Sequence, residues 1–357
     1  MTAVRLHGIA QTFAGKPVLC GLELDIGANE YMVLLGASGC GKTTTLRIIA
    51  GLQRPDAGDV FFNDQKVTAV APRHRDVAMV FQQDGLYPHL TVRQSIQFAL
   101  KGKYSRDEIA ARSNEAIELA GIAEILDRFP DRLSGGELRR ASIAKAIARR
   151  CSVRLLDEPL SALDVPVRHL LQEDILHWHQ AVPGTTVHVT HDGQEAMRMA
   201  DKIAVMHAGA IIQCGTPKQV YEQPQSIRVA TAIGSPPINL MSGAVDNGQV
   251  QLASDVSFVG LKLPDDAPAK VTVGVRPGSF QLSRPTGEPG MHLSVVPDRT
   301  TAIGRETQLQ FAVGAGRCLA IIPEHVPSTN SSVRLFVPLD QLHVFDPQTE
   351  TRISLTQ

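Results

Sequence analysis

Apolar positions fall into two regimes along this chain. Up to about residue 233, short apolar runs alternate with stretches of helical period, and beyond it short segments of period two replace them. In the first regime the runs at 31–35 (Y-M-V-L-L), 77–81, 153–159 (V-R-L-L-D-E-P) and 185–191 (T-T-V-H-V-T-H) suit strands of a buried parallel sheet. Further strands are predicted at 201–206 and 210–213. Helical periodicity fills 44–51, most of 91 to about 129, a stretch opened by Leu133-Ser134-Gly135-Gly136-Glu137, and 167–180, with a short helix near Pro217. Ser105 with Glu108 three residues on has the form of a capping box. Ahead of all this, V-R-L-H-G-I-A-Q-T-F, the turn Ala14-Gly15-Lys16 and P-V-L-C-G-L-E-L-D-I predict an antiparallel β region with Phe13 at its bend. Alone, Phe13 is better read as a core aromatic than as a stacking face. The basic residues Arg139, Arg140, Lys145, Arg149 and Arg150 are expected to form a solvated helix face.

Gly234-Ser235-Pro236-Pro237 reads as a linker. After it Q-V-Q-L, K-V-T-V-G-V-R, H-L-S-V-V, T-Q-L-Q-F-A-V, C-L-A-I-I and S-V-R-L-F-V, separated by Gly, Pro, Asn and Asp, predict a small all-β barrel. The predicted fold class is α/β over 1–235, followed by an all-β domain over 236–357.

Composition narrows the function classes. A chain of 357 residues with 43% hydrophobic content suits two domains with full cores. Its net charge of −1 supplies no global field for nucleic acid or an anionic membrane. No apolar run approaches the roughly 18 residues of a membrane span, so a membrane role is expected to be peripheral. The opening M-T-A-V-R-L-H-G lacks the apolar core of a signal peptide, and the five cysteines are scattered without metal-ligand spacing. A reduced cytoplasmic setting is the simplest account.

Chemistry enters at Gly36-Ala37-Ser38-Gly39-Cys40-Gly41-Lys42-Thr43, a G-x-x-x-x-G-K-T run between a predicted strand and a predicted helix. Glycines allow the backbone to curl its N–H groups into an anion nest, and the new helix aims its positive dipole end at the same spot. Lys42 adds a cation for the β- and γ-phosphates, and the Thr43 hydroxyl suits Mg²⁺. Nucleotide triphosphate binding is therefore expected. Asp157 and Glu158 lie at the carboxyl end of a strand, where ligands of doubly wound sheets sit.

Further motifs narrow the class: Gln82 after a strand, L-S-G-G-E at 133–137, L-L-D-E-P-L-S-A-L-D at 155–164, and His191 in V-T-H-D. With these the sequence resembles the ATP-binding subunits of ABC transporters. The likeness is greatest to the carbohydrate and glycerol-phosphate importer branch with a C-terminal OB-like (TOBE) domain. It extends over nearly the whole chain, through F-Q-Q-D-G-L-Y-P-H-L-T-V, T-H-D-G-Q-E-A-M, G-T-P-K-Q-V-Y-E-Q-P and I-G-S-P-P-I-N-L. It implies a RecA-like core with a helical subdomain at about 83–150. It also implies that Phe13 stacks on adenine, and that Gly36, Ala37, Ser38, Gly39, Cys40, Gly41, Lys42, Thr43 and Thr44 wrap the phosphates of ATP. Mg²⁺ would sit on Thr43, with Gln82 and Asp157 completing its shell. Glu158 would polarise the attacking water, and His191 would hold the γ-phosphate. Leu133, Ser134, Gly135, Gly136 and Glu137 would grip ATP bound to a second copy, in a head-to-tail homodimer with two ATP at the interface and Asp164 in its crossing loop. Implied partners are integral-membrane permease subunits, docked near L-Y-P-H-L-T-V, and a solute-binding protein, with the chain on the cytoplasmic face of the cell membrane. A sugar, polyol or glycerol phosphate ester is the expected solute.

The sequence departs from the family pattern at several positions. Glu137 stands where Gln is more frequent, Asp84-Gly85 where an aromatic and Ala are common, and Gly278 follows Arg276-Pro277 where an acid is usual. Arg154 interrupts a buried run, which costs stability unless its head escapes or is paired. Three other readings compete. One is a soluble ABC ATPase of repair or translation, which usually carries fused cassettes or a coiled-coil insertion. Another is an importer for polyamine or iron. The third makes the barrel a nucleic-acid binder, which its few aromatics and balanced charge disfavour.

Overall fold

A computed structural model describes residues 2–81, 85–161, 163–246, 248–252, 256–282, 288–326 and 332–355. The chain divides into two compact units, Met1–Pro217 and Lys218–Gln357. In order, the first unit carries strands β1 (Val4–Phe13), β2 (Lys16–Ile26) and β3 (Tyr31–Leu35), helix α1 (Lys42–Ala50), and strands β4 (Ala57–Phe62), β5 (Gln65–Lys66) and β6 (Val77–Val80). Helices α2 (Val92–Phe98), α3 (Arg106–Ala120) and α4 (Gly135–Ala148) follow, then β7 (Val153–Asp157), α5 (Val165–Ala181), β8 (Thr185–Thr190), α6 (Gly193–Met199), β9 (Lys202–His207) and β10 (Ala210–Gly215).

The uninterrupted apolar runs become the middle of a six-stranded sheet ordered β10-β9-β3-β8-β7-β6. Its strands are parallel except for β10, and every residue of β3, β7 and β8 is buried. Strands covered on both faces have no polar side to show, which is why alternation is missing there. An antiparallel sheet, β2-β1-β4-β5, shares one apolar core with it through Val4, Leu6, Leu22, Leu34, Ile48 and Leu155. Helices α2, α3 and α4 each begin with a capping box, at Thr91 and Gln94, Ser105 and Glu108, and Ser134 and Glu137.

Two buried-charge expectations are now decided. Four of the basic residues expected to form a solvated face have partners as well, although Arg150 is exposed and Arg139, Arg140 and Lys145 are half-buried. Arg140 pairs with Asp174 at 2.9 Å, Arg150 pairs with Glu115, and Arg139 donates to the Phe81 carbonyl at 2.7 Å. The Lys145 ammonium reaches the Gly85 carbonyl and lies 5.0 Å from the Tyr87 ring centroid, and burial lowers its pKa. Arg154 is paired, though with carbonyls. Only 7% exposed, it donates to Val182 O at 2.6 Å, Gly184 O at 2.8 Å and Trp178 O at 3.4 Å, closing the C-terminal end of α5. A cation there also meets the negative end of the helix dipole. Burial pulls its guanidinium down to about 10. Arg154→Met keeps the bulk and strands these carbonyls, so a loss of about 1–3 kcal/mol is expected. Urea unfolding with an unchanged slope checks it.

In the second unit α7 (Pro217–Glu222), which spans the division, and α8 (Ile227–Ala232) precede strands only. These are β11 (Asn239–Asp246), β12 (Gln249–Gln251), β13 (Val256–Val259), β14 (Lys270–Val275), β15 (Gln281–Leu282), β16 (Gly290–Val295), β17 (Arg299–Ile303), β18 (Glu306–Val313), β19 (Gly316–Ile322), β20 (Val333–Pro338), β21 (Leu342–Phe345) and β22 (Arg352–Ile353). They form antiparallel sheets ordered β12-β11-β14-β21-β22, β13-β16-β20-β15 and β17-β18-β19. Met241, Val273, Phe280, Leu293, Phe311 and Leu335 belong to one core beneath them. The alternation read from T-Q-L-Q-F-A-V is realised in β18, where Thr307, Leu309, Phe311 and Val313 point inward.

Candidate functional site

The turn from β3 into α1 is built by backbone geometry. Gly39 and Gly41 have φ of 81° and 108°, a region that residues with a Cβ avoid. A Cβ on Gly41 would meet Leu19 Cδ2 at 2.6 Å, so a larger residue fails there on space as well. Residues 37–39 are exposed, whereas Gly36, Cys40 and Gly41 are buried beneath them. Lys42, only 4% exposed, folds back along the loop and donates to Gly36 O at 2.8 Å and Ala37 O at 2.9 Å. An ammonium has three donors, so one remains for an incoming phosphate oxygen.

Strand β7 delivers its carboxylates to the same end of the sheet. Thr43 Oγ1 donates to Asp157 Oδ1 at 2.9 Å, joining the first turn of α1 to the end of β7. Burial raises the Asp157 pKa, and the Thr43 hydroxyl opposes that shift. The next residue, Glu158, takes φ of 45°. For a residue with a Cβ this left-handed conformation costs about 1–2 kcal/mol. It is held by Glu158 N donating to Val189 O at 3.0 Å and by the Ser161 hydroxyl donating to Glu158 O at 2.8 Å. The strained turn brings Glu158 Oε1 to 3.5 Å from His191 Nδ1, at the end of β8. His191 is about half exposed and Glu158 mostly buried, with side chains 56% and 16% accessible. A carboxylate and an imidazole beside an anion nest can together hold water and a phosphoryl group.

The remaining predicted residues lie around this centre. Phe13 ends β1 with 44% of its surface exposed, which removes the core-aromatic reading. Thr44 is half-buried in the first turn of α1. Ser134 caps α4, and its hydroxyl and N–H both donate to Glu137 Oε2, at 2.9 and 2.8 Å. Those bonds hold the Glu137 carboxyl below its ordinary range. Glu137 also meets Arg128 at 3.3 Å. Gly136 leaves no room for a Cβ, which would approach Val167 Cγ1 at 2.9 Å. Leu133 is half-buried, Gly135 is exposed, and Asp164 stands exposed at the start of α5 with its side chain uncommitted as a cap. Among the described residues, none of 133–137 hydrogen-bonds to the loop 36–43. Gln82 lies outside the described residues.

Comparison with known proteins fits this geometry. The family model described as ABC transporter matches residues 19–161. The sequence is 37% identical to the sn-glycerol-3-phosphate import ATP-binding protein UgpC of Escherichia coli O157:H7, over 99% of this chain and 100% of that one. It is also 37% identical to the sulfoquinovosyl glycerol transport ATP-binding protein SmoE of Agrobacterium fabrum, over 99% and 100%. This chain belongs to the ABC transporter ATP-binding proteins. Among solved structures it is similar to cbiO1 from Clostridium perfringens, part of the ABC transporter complex cbiONQ. The TM-score is 0.56 at 26% identity, covering 61% of this chain and 89% of that one. As a member, this ABC protein is an ATPase and the energy-coupling subunit of an importer. No helix among the described residues is long and apolar enough to cross a membrane.

One group of residues beside this candidate site was missed in the sequence. Behind His191, Tyr31 Oη lies 2.9 Å from His188 Nδ1, and His188 Nε2 lies 2.6 Å from Glu195 Oε1. Thr190 Oγ1 donates to Glu195 Oε2 at 3.1 Å and accepts Asp192 N at 3.0 Å. Asp192 caps α6 and reaches Arg168 at 3.6 Å. These buried contacts fix both neighbours of His191. The available signal was a histidine flanked by valines in the middle of β8.

Proposed function

We propose that this chain powers uptake of a sugar, polyol or glycerol phosphate ester. It would act as a head-to-tail homodimer on the cytoplasmic face of a membrane, with permease subunits and a solute-binding protein. The observation that carries the reading is the meeting of Thr43, Asp157, Glu158 and His191 around the Lys42 loop. Residues 1–235 serve as the cassette, with a helical subdomain at about 83–150. Residues 236–357 serve as an OB-like regulatory domain that steadies the dimer.

In this reading the adenine of ATP stacks on exposed Phe13, and the triphosphate settles on the amides of 36–43 with Lys42 against its β- and γ-oxygens. Thr43 and Asp157, hard oxygen donors 2.9 Å apart, fit Mg²⁺. When bound, Mg²⁺ neutralises phosphate charge. Glu158 accepts a hydrogen bond from the attacking water and orients it, while His191 holds the γ-phosphate. Exposed Ser134 and Gly135 complete the site of a second copy. Val165, 60% exposed next to Asp164, supports burial of that surface in a dimer.

A groove of about 450 Å³, lined by Leu52, Phe81, Tyr87, Phe98 and Lys145 among others, supports permease docking there. Leu52, Phe81 and Phe98 each expose between 41% and 50% of their surface into solvent. Glycerol-bearing solutes in the names of both UgpC and SmoE support the solute class. Phe98→Asp puts a charge in the groove and leaves the Lys42 loop untouched. ATP hydrolysis by the isolated chain should stay within about twofold, while stimulation by permease in proteoliposomes should fall about tenfold or more. Retained stimulation would remove the groove from docking. Uptake of glycerol 3-phosphate by the wild-type assembly tests the solute class, and uptake of a polyamine instead would overturn it.

A further inference from the structure

Within the second unit a cavity of about 560 Å³ gathers two arginines and a histidine. Arg276, Arg352 and His343 line it, as do Gly278 and Ser279. Arg276 is 3% exposed. Its Nη1 donates to Ala230 O at 2.7 Å and Ile233 O at 2.5 Å, its Nη2 to Tyr221 O at 3.3 Å, and it lies 4.3 Å from the Tyr221 ring centroid. Its Nε has no partner, and neither has Nδ1 of His343, which is also 3% exposed. Arg352 is half-buried, and Glu350, two residues before it, is taken by Arg228. Among the described residues Arg276 and Arg352 have no ion pair, although the exposed carboxylates Asp340 and Glu222 stand on the rim. Burial and the charges of Arg352 and Arg276 push the His343 imidazole down to about 4.

Buried polar atoms are almost always satisfied, and two residues that each carry an unpartnered buried nitrogen line this one cavity, which points to something that binds there. Two guanidinium groups in a partly desolvated space, neither ion-paired to the exposed Asp340 or Glu222, suit an anion, and planar guanidinium forks match phosphate oxygens. Gly278 contributes no side chain, and a Cβ there would meet nothing within 4 Å. The cavity is therefore open beside Arg276, and its size suits a small metabolite better than a bare water cluster. We propose that this cavity binds a phosphate-bearing small molecule, either inorganic phosphate or a small phosphate ester, through Arg352, His343 and the field of Arg276. The site is separate from the Lys42 loop and does not depend on the solute carried by the transporter.

The test is calorimetric titration of the full chain with its nucleotide site filled by a non-hydrolysable ATP analogue, so that the Lys42 loop is closed to the probe. Inorganic phosphate and glycerol 3-phosphate are titrated separately, and the tighter of the two identifies the source. One equivalent per chain is expected for at least one of them. Gly278→Glu would place a carboxylate in the open space, and Arg352→Gln removes one cation. Each should weaken that binding by about tenfold or more while leaving affinity for the ATP analogue unchanged, which also shows that the variant is folded. No heat from either probe with the nucleotide site filled would overturn the proposal. So would binding that both folded variants retain in full.

Discussion

Lys42→Ala is expected to reduce ATP hydrolysis to below about 1% and to weaken nucleotide binding by about tenfold to a hundredfold. Two separate losses combine. The cation that would face the β- and γ-phosphates disappears. The Gly36 and Ala37 carbonyls, now bound by its ammonium, are left bare next to an incoming polyanion. Because Lys42 is buried, the variant also tests the shape of the loop. Circular dichroism should therefore accompany titration of an ATP analogue and a phosphate-release assay. Normal turnover by folded Lys42→Ala would place the phosphates elsewhere.

The parts of this site that were legible in sequence are those fixed by local rules. Buried runs marked β3, β7 and β8 because both faces of each are covered, and Ser105 marked a helix start because its hydroxyl and the Glu108 carboxylate each accept from the other residue's backbone N–H. The order of those strands in the sheet placed Asp157 and His191 at its carboxyl end. What stayed illegible depends on pairing between distant segments. Tyr31 and His188 meet only because β3 lies beside β8 with Val33 opposite His188. Arg154 is satisfied by carbonyls 24 to 30 residues away, a kind of partner that no charge pattern marks. The basic face of α4 read as solvated because Asp174 and Gly85 reach it from separate segments. The helical stretch before Gly234 likewise meets a distant turn, through Ile227 N donating to Glu350 O at 2.9 Å.

Glu158→Gln should separate binding from chemistry. The amide keeps the size of the carboxylate and one acceptor oxygen, but loses the charge that would polarise water. Thr43 and Asp157 remain in place, so nucleotide affinity should change little, while hydrolysis should fall by about two orders of magnitude or more. The backbone turn at Glu158 is set by Val189 O and Ser161, neither of which needs the carboxylate, so the variant should fold. If each ATP is gripped by one Lys42 loop and the opposite Leu133–Glu137 segment, unhydrolysed ATP becomes a durable bridge between two chains. Light scattering of Glu158→Gln with Mg-ATP should then report a dimer, dispersing when ATP is replaced by ADP. Glu137 gives a second control, since the Ser134 hydroxyl and N–H that would meet the γ-phosphate are bound by its carboxylate. Glu137→Gln weakens that hold and should strengthen the ATP-dependent dimer. A Glu158→Gln chain that hydrolyses at the wild-type rate would move the polarising role to His191, 3.5 Å away. One that binds ATP, fails to hydrolyse it and stays monomeric even with its permease would remove the head-to-tail sandwich and leave the Glu158 assignment standing.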